Sequence, residues 1–248
     1  MVQQADLEVY KNMQKDYFEA EAENMGQHNH IQHDSNPYLW QIGYGPLFSQ
    51  PDRFRHGACL DFGCGGGRNM INMAAFNLFR KVDGCDIAEG NLIQSRLNFG
   101  KVYPDIESDL FANSGTDCLS PFNTRYEFIF SSIVLQHIPV RTIRNSILSD
   151  LMDLLTPKGT LSFQMAMSGK KIKKALGLPL RANAVAYFAE KTGATQTNGG
   201  CDVGIEDPQD LVSDLKALGA TNVRWFITPS WEDLHPLWIW VHADKAPK

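Results

Sequence analysis

Between Ala58 and Asn69 the chain reads Ala-Cys-Leu-Asp-Phe-Gly-Cys-Gly-Gly-Gly-Arg-Asn. A short apolar run ends in the acid Asp61, glycines crowd positions 63 to 67, and a helical pattern opens around Met70. Glycine tolerates positive φ and lets backbone pass close to a ligand, so the stretch reads as a cofactor turn after a buried strand. Glycine-rich turns also occur without ligands, and that alternative stays open at this point. A second apolar run, Lys81 to Ile87, carries the acid Asp86 near its end, about twenty residues past the turn, the separation at which a βαβ unit offers a carboxylate to a ribose. One carboxylate can accept from both hydroxyls of a diol. The competing reading is an acid placed at a helix N-terminus by the helix dipole.

Histidines supply the other candidate chemistry. His28, His30, His33 and Asp34 fall in one polar loop. Their spacing matches no recognised metal-ligand pattern, so the expectation is no metal and a loop of solvated or substrate-facing imidazoles, one of which could act as a base. A basic cluster (Lys170, Lys171, Lys173, Lys174, Arg181) could attract an anionic group, but it reads more simply as solvated surface.

These residues need a scaffold. Residues 5–25 read as an amphipathic helix with Leu7, Tyr10, Met13 or Gln14, Tyr17 and Ala20 on one face. An aromatic segment with turn formers follows, from Asn36 to Pro46. Strands are expected at 58–62, 81–87, near Ile106 to Phe111, at Tyr126 to Ser132 and at Thr160 to Met165, with a Pro157-Lys158-Gly159 turn before the last. Helices are expected after the glycine turn, over 88–99 and over 140–155, where Ile143, Ile147, Leu151 and Leu154 share a face. This alternation specifies a doubly wound α/β sheet with right-handed crossovers. Asp207 as cap, Pro208 in the first turn and Gly219 as stop mark a closing helix. Val223 to Ile227 and Leu237 to Val241 then read as a strand pair.

With 248 residues, 43% hydrophobic and 21% charged, the chain has an ordinary globular composition. Its net charge of −5 gives no general attraction to nucleic acid or anionic membrane. No apolar run suggests a membrane span, and residues 1–6 lack the pattern of a secretory signal. The five cysteines are scattered, without a Cys-x-x-Cys pair, and read as buried reduced thiols in a cytoplasmic protein.

The segment Leu60 to Arg68 resembles the first motif of class I S-adenosylmethionine-dependent methyltransferases. A dinucleotide turn of the G-x-G-x-x-G type wants glycine at position 68 or 70, where Arg68 and Met70 stand. The acid Asp61, just before the first glycine, suits a cofactor carrying a sulfonium and an amino group. The resemblance runs from about residue 57 to 165. It implies that Asp86 holds the ribose hydroxyls, that Gly115 to Leu119 with Asp117 and Cys118 form the adenine loop, that Phe128 to Pro139 is the fourth-strand motif, and that Leu154 to Leu161 leads into strand five.

What the resemblance implies is a three-layer α-β-α sheet of seven strands with the last antiparallel, plus an N-terminal helical lid, all in one domain. Residues 1–56 form the lid and substrate region, 57–165 the cofactor core, 166–206 an insertion, and 207–248 the closing helix and strand pair. The implied activity is methyl transfer from S-adenosylmethionine to an O or N atom of a small molecule. Asp61, Gly63, Cys64, Gly65, Arg68, Asn69, Asp86, Ile87, Asp117, Cys118, Ser131 and Ser132 are the expected cofactor residues. His137, where the fourth-strand motif turns toward the acceptor, is the candidate base; a helix-entry histidine satisfied by backbone is the alternative. Tyr17, Phe18, His33, Trp40, Gln136 and Gln164 are the candidate acceptor contacts. No Asn/Asp-Pro-Pro-Tyr/Phe motif follows strand four and no cysteine follows proline, which disfavours base-amine, glutamine and cytosine C5 methylation. A non-catalytic cofactor-binding subunit and, behind it, an aminopropyl transferase are the alternatives.

Overall fold

The computed structural model describes residues 4–23, 41–114, 122–138, 140–167, 203–205, 207–230 and 237–247, with side chains of the first helix from residue 11 onward. Seven strands form one sheet: β1 (Gly57–Phe62), β2 (Phe79–Asp86), β3 (Leu110–Ala112), β4 (Tyr126–Ser131), β5 (Leu155–Met167), β6 (Ala220–Pro229) and β7 (Leu237–Lys245), in the order β3-β2-β1-β4-β5-β7-β6. Strands β1 to β5 pair in parallel, and β7 runs antiparallel to both β5 and β6. The helices are α1 (Gln4–Glu23), α2 (Gly45–Ser49), α3 (Arg68–Ala74), α4 (Glu89–Val102), α5 (Arg141–Leu154) and α6 (Pro208–Ala217). The strand order reverses between β1 and β4, so the open crevice of the doubly wound sheet lies at their carboxyl ends, beside the glycine turn.

Both faces of the sheet are covered, which is why β1 is buried along its whole length and reads as an unbroken apolar run. One core holds Leu60, Ile129, Leu161 and Val241 against α5 and α6, through Ile147, Leu151 and Leu215. The other holds Cys59, Phe128, Phe130 and Trp240 with Tyr44, Met70 and Phe99. The expected face of α5, Ile143, Ile147, Leu151 and Leu154, is the buried one, and α4 buries Leu92, Ser95 and Phe99. Asp207 caps α6 by accepting from the Gln209 N–H at 2.9 Å, and Gly219 follows at φ 85°.

Several local readings change. The segment 157–159 is not a turn ahead of the fifth strand but lies inside β5, where Lys158 at φ 67° takes up an irregularity in register between Tyr126↔Leu155 and Phe128↔Thr160. The third strand is shorter than expected and sits at its later end, and the described residues between β3 and β4 carry no helix. In α1 the packed stripe is Lys11, Gln14, Phe18 and Ala22, while Tyr17 and Ala20 face outward. That rotation follows from how α1 docks: Glu19 accepts from the Glu89 and Gly90 N–H groups at 2.7 and 3.2 Å, capping α4, whose own N-cap residue, Ala88, offers no side-chain acceptor. Cys59, Cys64 and Cys85 are buried free thiols; Cys118 and Cys201 lie outside the described residues. Among the described residues no helix is long and apolar enough to cross a membrane.

A polar cluster ties β2 to β4. Tyr126 donates to the fully buried Asp83 at 2.7 Å, the Asp109 N–H donates to the same carboxylate at 2.8 Å, and Lys81 lies 3.6 Å from it. Burial pushes the Asp83 carboxyl up from its ordinary range, against these partners. Removing the phenol in Tyr126→Phe withdraws one donor from a buried acid, and chemical denaturation should show a loss of about 1–3 kcal/mol. A variant as stable as the parent would show that the contact contributes nothing net.

Candidate active site

The glycine turn is held from three directions. The Cys85 carbonyl accepts from both the Gly63 and Cys64 N–H groups at 2.8 and 2.9 Å; the Asp86 carboxylate accepts from the Gly65 N–H at 2.8 Å; Asn98 of α4 donates to the Gly66 carbonyl at 2.9 Å. Gly63, Gly65 and Gly67 all have positive φ, at 75°, 51° and 92°. At Gly67 a Cβ would stand 2.7 Å from Ser95 Oγ, so helix α4 packs directly on the turn and only glycine fits. The Cys64 thiol is buried within the turn and pushed up by burial, which makes it inert packing and not a nucleophile.

Asp86 closes β2 with its carboxylate nearly buried. Oδ1 accepts from the Ala88 N–H at 2.9 Å and from Asn91 Nδ2 at 3.1 Å, and Oδ2 from Gly65. Burial raises its pKa while the backbone donors of Ala88 and Gly65 oppose the shift. A carboxylate has about four acceptor sites, so Oδ2 retains capacity for a hydroxyl donor. Ile87 follows it, half-buried, on the way into α4.

Asp61 differs from Asp86 in lacking donors. It is fully buried, and neither carboxylate oxygen has a hydrogen-bond partner among the described residues; the Met70 N–H at the head of α3 approaches without hydrogen-bond geometry. Burial pushes its pKa up to about 8, with the charge of Arg68 opposing. Such an orphaned acid is costly, and a cation brought beside it offsets the cost. The Ser131 hydroxyl at the end of β4 is likewise buried without a partner among the described residues.

The neighbouring side chains form a chain across the strand ends. Tyr44 donates to Asn69 Oδ1 at 2.9 Å, and Asn69 Nδ2 donates to Ser132 Oγ at 3.0 Å. Tyr44 is not legible in the sequence as a site residue, since its partner lies in another element and nothing nearby along the chain marks it. Its phenol is raised by burial first and by the Asp61 charge second, which places it beside that acid.

Beyond β4 the chain passes through Ile133 at φ 56°, a strained conformation for a β-branched residue. Gln164 of β5 holds it there, accepting from the Ile133 N–H at 2.7 Å while donating to Gln136 Oε1 at 3.0 Å. Both glutamines are fully buried. His137 ends a 3₁₀ turn (Leu135–His137), and its ring lies 5.6 Å from that of Phe18, which meets Tyr17 edge-on at 5.2 Å. The structure thus brings α1 against His137, and it gathers Asp61, Arg68, Asn69, Asp86, Ser131 and Ser132 around the strand ends. His33, Trp40, Asp117 and Cys118 lie outside the described residues, as do the other loop histidines and the lysine cluster.

The crevice thus joins a glycine turn, the hydrogen-bonded Asp86 carboxylate at the end of β2 and a buried Asp61 carboxylate without a hydrogen-bond partner among the described residues. Residues 60–161, from β1 into β5, match the family model described as a methyltransferase domain. The match spans the cofactor core of the sheet and marks that stretch as a methyltransferase domain. No curated protein sequence matches the chain. Among solved structures, magnesium protoporphyrin IX methyltransferase (ChlM) from Synechocystis PCC 6803 with bound SAH is similar at TM-score 0.64 and 17% identity, over 94% of this chain and 98% of that one. The N-methyltransferase NodS from Bradyrhizobium japonicum WM9 in complex with SAH is similar at TM-score 0.57 and 11% identity, over 89% and 96%. The [4+2]-cyclase SpnF is similar at TM-score 0.61 and 12% identity, over 85% and 82%. These likenesses are of fold.

The Asp61 shift has a measurable consequence. Its folded pKa, about 8, lies above the ordinary 3.8, so the folded protein keeps a proton that the unfolded chain releases. That contribution to stability is complete below pH 4 and is lost progressively as pH rises toward 8. Asp61→Asn should flatten this part of the profile, melting higher than the parent near pH 8, as read by thermal denaturation of the ligand-free protein from pH 5 to 9. Parallel profiles would show that the buried carboxylate carries no such cost.

Proposed function

We propose that this chain transfers the methyl group of S-adenosylmethionine to an oxygen or nitrogen of a small-molecule acceptor, in the cytoplasm and without a nucleic-acid or membrane partner. The observation that carries the reading is the orphaned Asp61 carboxylate beside the glycine turn. A phosphate-bearing cofactor would hold it in its neutral form, whereas the ammonium and sulfonium of a cationic cofactor would lower its pKa and pair with the carboxylate. When bound, S-adenosylmethionine supplies a methyl group already activated on positive sulfur. The residues fit it in order along the crevice: the Gly63 to Gly67 backbone for the amino-acid end, Asp61 for positive charge, and Asp86 Oδ2 for a ribose hydroxyl.

With the leaving group activated in advance, the chain's task is alignment of an acceptor and exclusion of water. The Tyr44–Asn69–Ser132 chain fixes the floor of the crevice, and Gln164 fixes the path of the backbone after β4. Phe18 and His137 approach from α1 and from that loop, which makes the α1 side the place where an acceptor is covered. His137 is the group that would take a proton from an acceptor that must lose one. The small-molecule reading is supported by the missing exocyclic-amine and cytosine motifs and by the lack of a basic stripe.

Calorimetric titration of S-adenosylmethionine, followed by turnover on a panel of metabolites, tests the proposal. Absence of binding refutes it, and tight binding without turnover favours a non-catalytic cofactor-binding subunit. Asp86→Ala should weaken cofactor binding by about 1.5–3 kcal/mol, roughly ten- to a hundredfold or more; an unchanged affinity would remove it from the ribose role. His137→Ala should lower turnover while cofactor affinity stays near that of the parent. If turnover survives, no base is needed at that position.

A further inference from the structure

A second concavity lies away from the strand ends that form the crevice. It is a cleft of about 600 Å³ between the segment around α2 and the edge strand β6, lined by Ile42, Pro46, Phe48, Arg224, Phe226 and His242. The register locates it. Arg224 pairs with His242, and His242 with Ser162, in the body of the sheet, whereas the carboxyl end of β5 is marked by the Met167↔Leu237 pair. One wall is pinned to the sheet: Ser162 donates to the Gly43 carbonyl at 2.6 Å, and His242 Nε2 lies 2.9 Å from the Ile42 carbonyl, which makes Nε2 the protonated nitrogen.

Phe48 packs edge-on against Phe76 at 4.9 Å and Phe226 lies 5.4 Å from the His242 ring, yet each leaves a large face open to the cleft. Phe48 and Phe226 are large apolar side chains left 57% and 43% exposed, and both line it. Between them Arg224 presents a guanidinium that no carboxylate answers among the described residues. Its Nε is buried without a hydrogen-bond partner, and no acid pairs with it among the described residues. The acid nearest along β7, Asp244, is already engaged by Arg53 at 3.0 Å, Thr160 at 2.7 Å and Asn222 at 2.7 Å. His242, facing Arg224 across the strands, is held neutral, its pKa pushed down to about 4 by burial and then by the Arg224 charge. The cleft therefore carries one uncompensated guanidinium between apolar walls, at a size ordinary for small-ligand sites.

We propose that this cleft is a second ligand site, taking a small amphipathic monoanion whose aromatic or aliphatic body lies between Phe48 and Phe226 and whose carboxylate or sulfonate pairs with Arg224. Guanidinium binds such groups through two parallel N–H donors, and ring faces supply the rest of the contact. A neutral ligand would leave the charge unanswered, and a cation would be repelled.

The probes are 8-anilinonaphthalene-1-sulfonate and its uncharged counterpart N-phenyl-1-naphthylamine, titrated by fluorescence against the full chain with and without saturating S-adenosylhomocysteine. The expected result is one saturable sulfonate site that S-adenosylhomocysteine does not displace. Arg224→Gln should weaken it by about tenfold or more and Arg224→Lys by less, while the neutral dye binds all three proteins alike. Phe48→Asp, at an exposed position that folding tolerates, places a carboxylate at the mouth and should weaken the sulfonate more than the neutral dye. Equal sulfonate affinity in parent and Arg224→Gln, equal loss of both dyes, displacement by S-adenosylhomocysteine, or an unchanged sulfonate affinity in Phe48→Asp would each overturn the proposal.

Discussion

The site depends on one constraint: the chain must leave β1, reverse and enter α3 within a few residues, with backbone N–H groups turned inward. That path needs positive φ at Gly63, Gly65 and Gly67, and it needs acceptors for the amides it exposes. The glycines allow the first, and strand β2 provides the acceptors, through the Cys85 carbonyl and the Asp86 carboxylate. Asp86 is therefore part of the scaffold before it is part of any binding event. It joins the turn after β1 to the head of α4, so the two loops that border the crevice cannot move independently. The parallel pairing of β1 with β2 sets this geometry, and close packing of Ser95 on Gly67 holds it.

The two acids of the crevice show how environment divides their roles. Asp86 has three donors and keeps its place in a hydrogen-bonded network. Asp61, fully buried with none among the described residues, is left in want of a partner. A site meant for phosphate would point amides and cations at the ligand. Here the deepest group is a carboxylate, and the charge of Arg68 counters its shift only partly. A positive charge brought beside Asp61 would lower its pKa and answer its burial, which supports the proposed cationic cofactor independently of the glycine pattern.

Features that depend on neighbouring residues are legible in the sequence itself. The glycine turn, the acid ending β2, the buried faces of α4 and α5 and the Asp207 cap all rest on residues within one or two turns of each other. Contacts between distant segments are not legible in this way. Tyr44 meets Asn69, Asn69 meets Ser132, and Gln164 supports Ile133, each across a separation that no periodicity encodes. The α1 stripe departs from its apolar pattern for a related reason. Its rotation is set by a carboxylate reaching the head of α4, a polar contact invisible to an apolar count. At 157–159 proline and glycine suggest a turn ahead of the strand, but β5 already begins at Leu155, which pairs with Tyr126, and pairing resumes at Thr160 after the irregularity.

The Glu19 contact has a thermodynamic corollary. Helix α4 borrows its N-terminal acceptor from α1, so the first turn of α4 is fully satisfied only while α1 is docked. Whatever steadies that first turn must favour the docked position of α1, and docking must steady the turn to the same degree. Asp86, two residues before the Ala88 that enters α4, stands at the start of this reciprocal pair. Order at the head of α4 beside Asp86 and the seating of Phe18 on His137 are thereby terms in one equilibrium, connected through the Glu19 carboxylate.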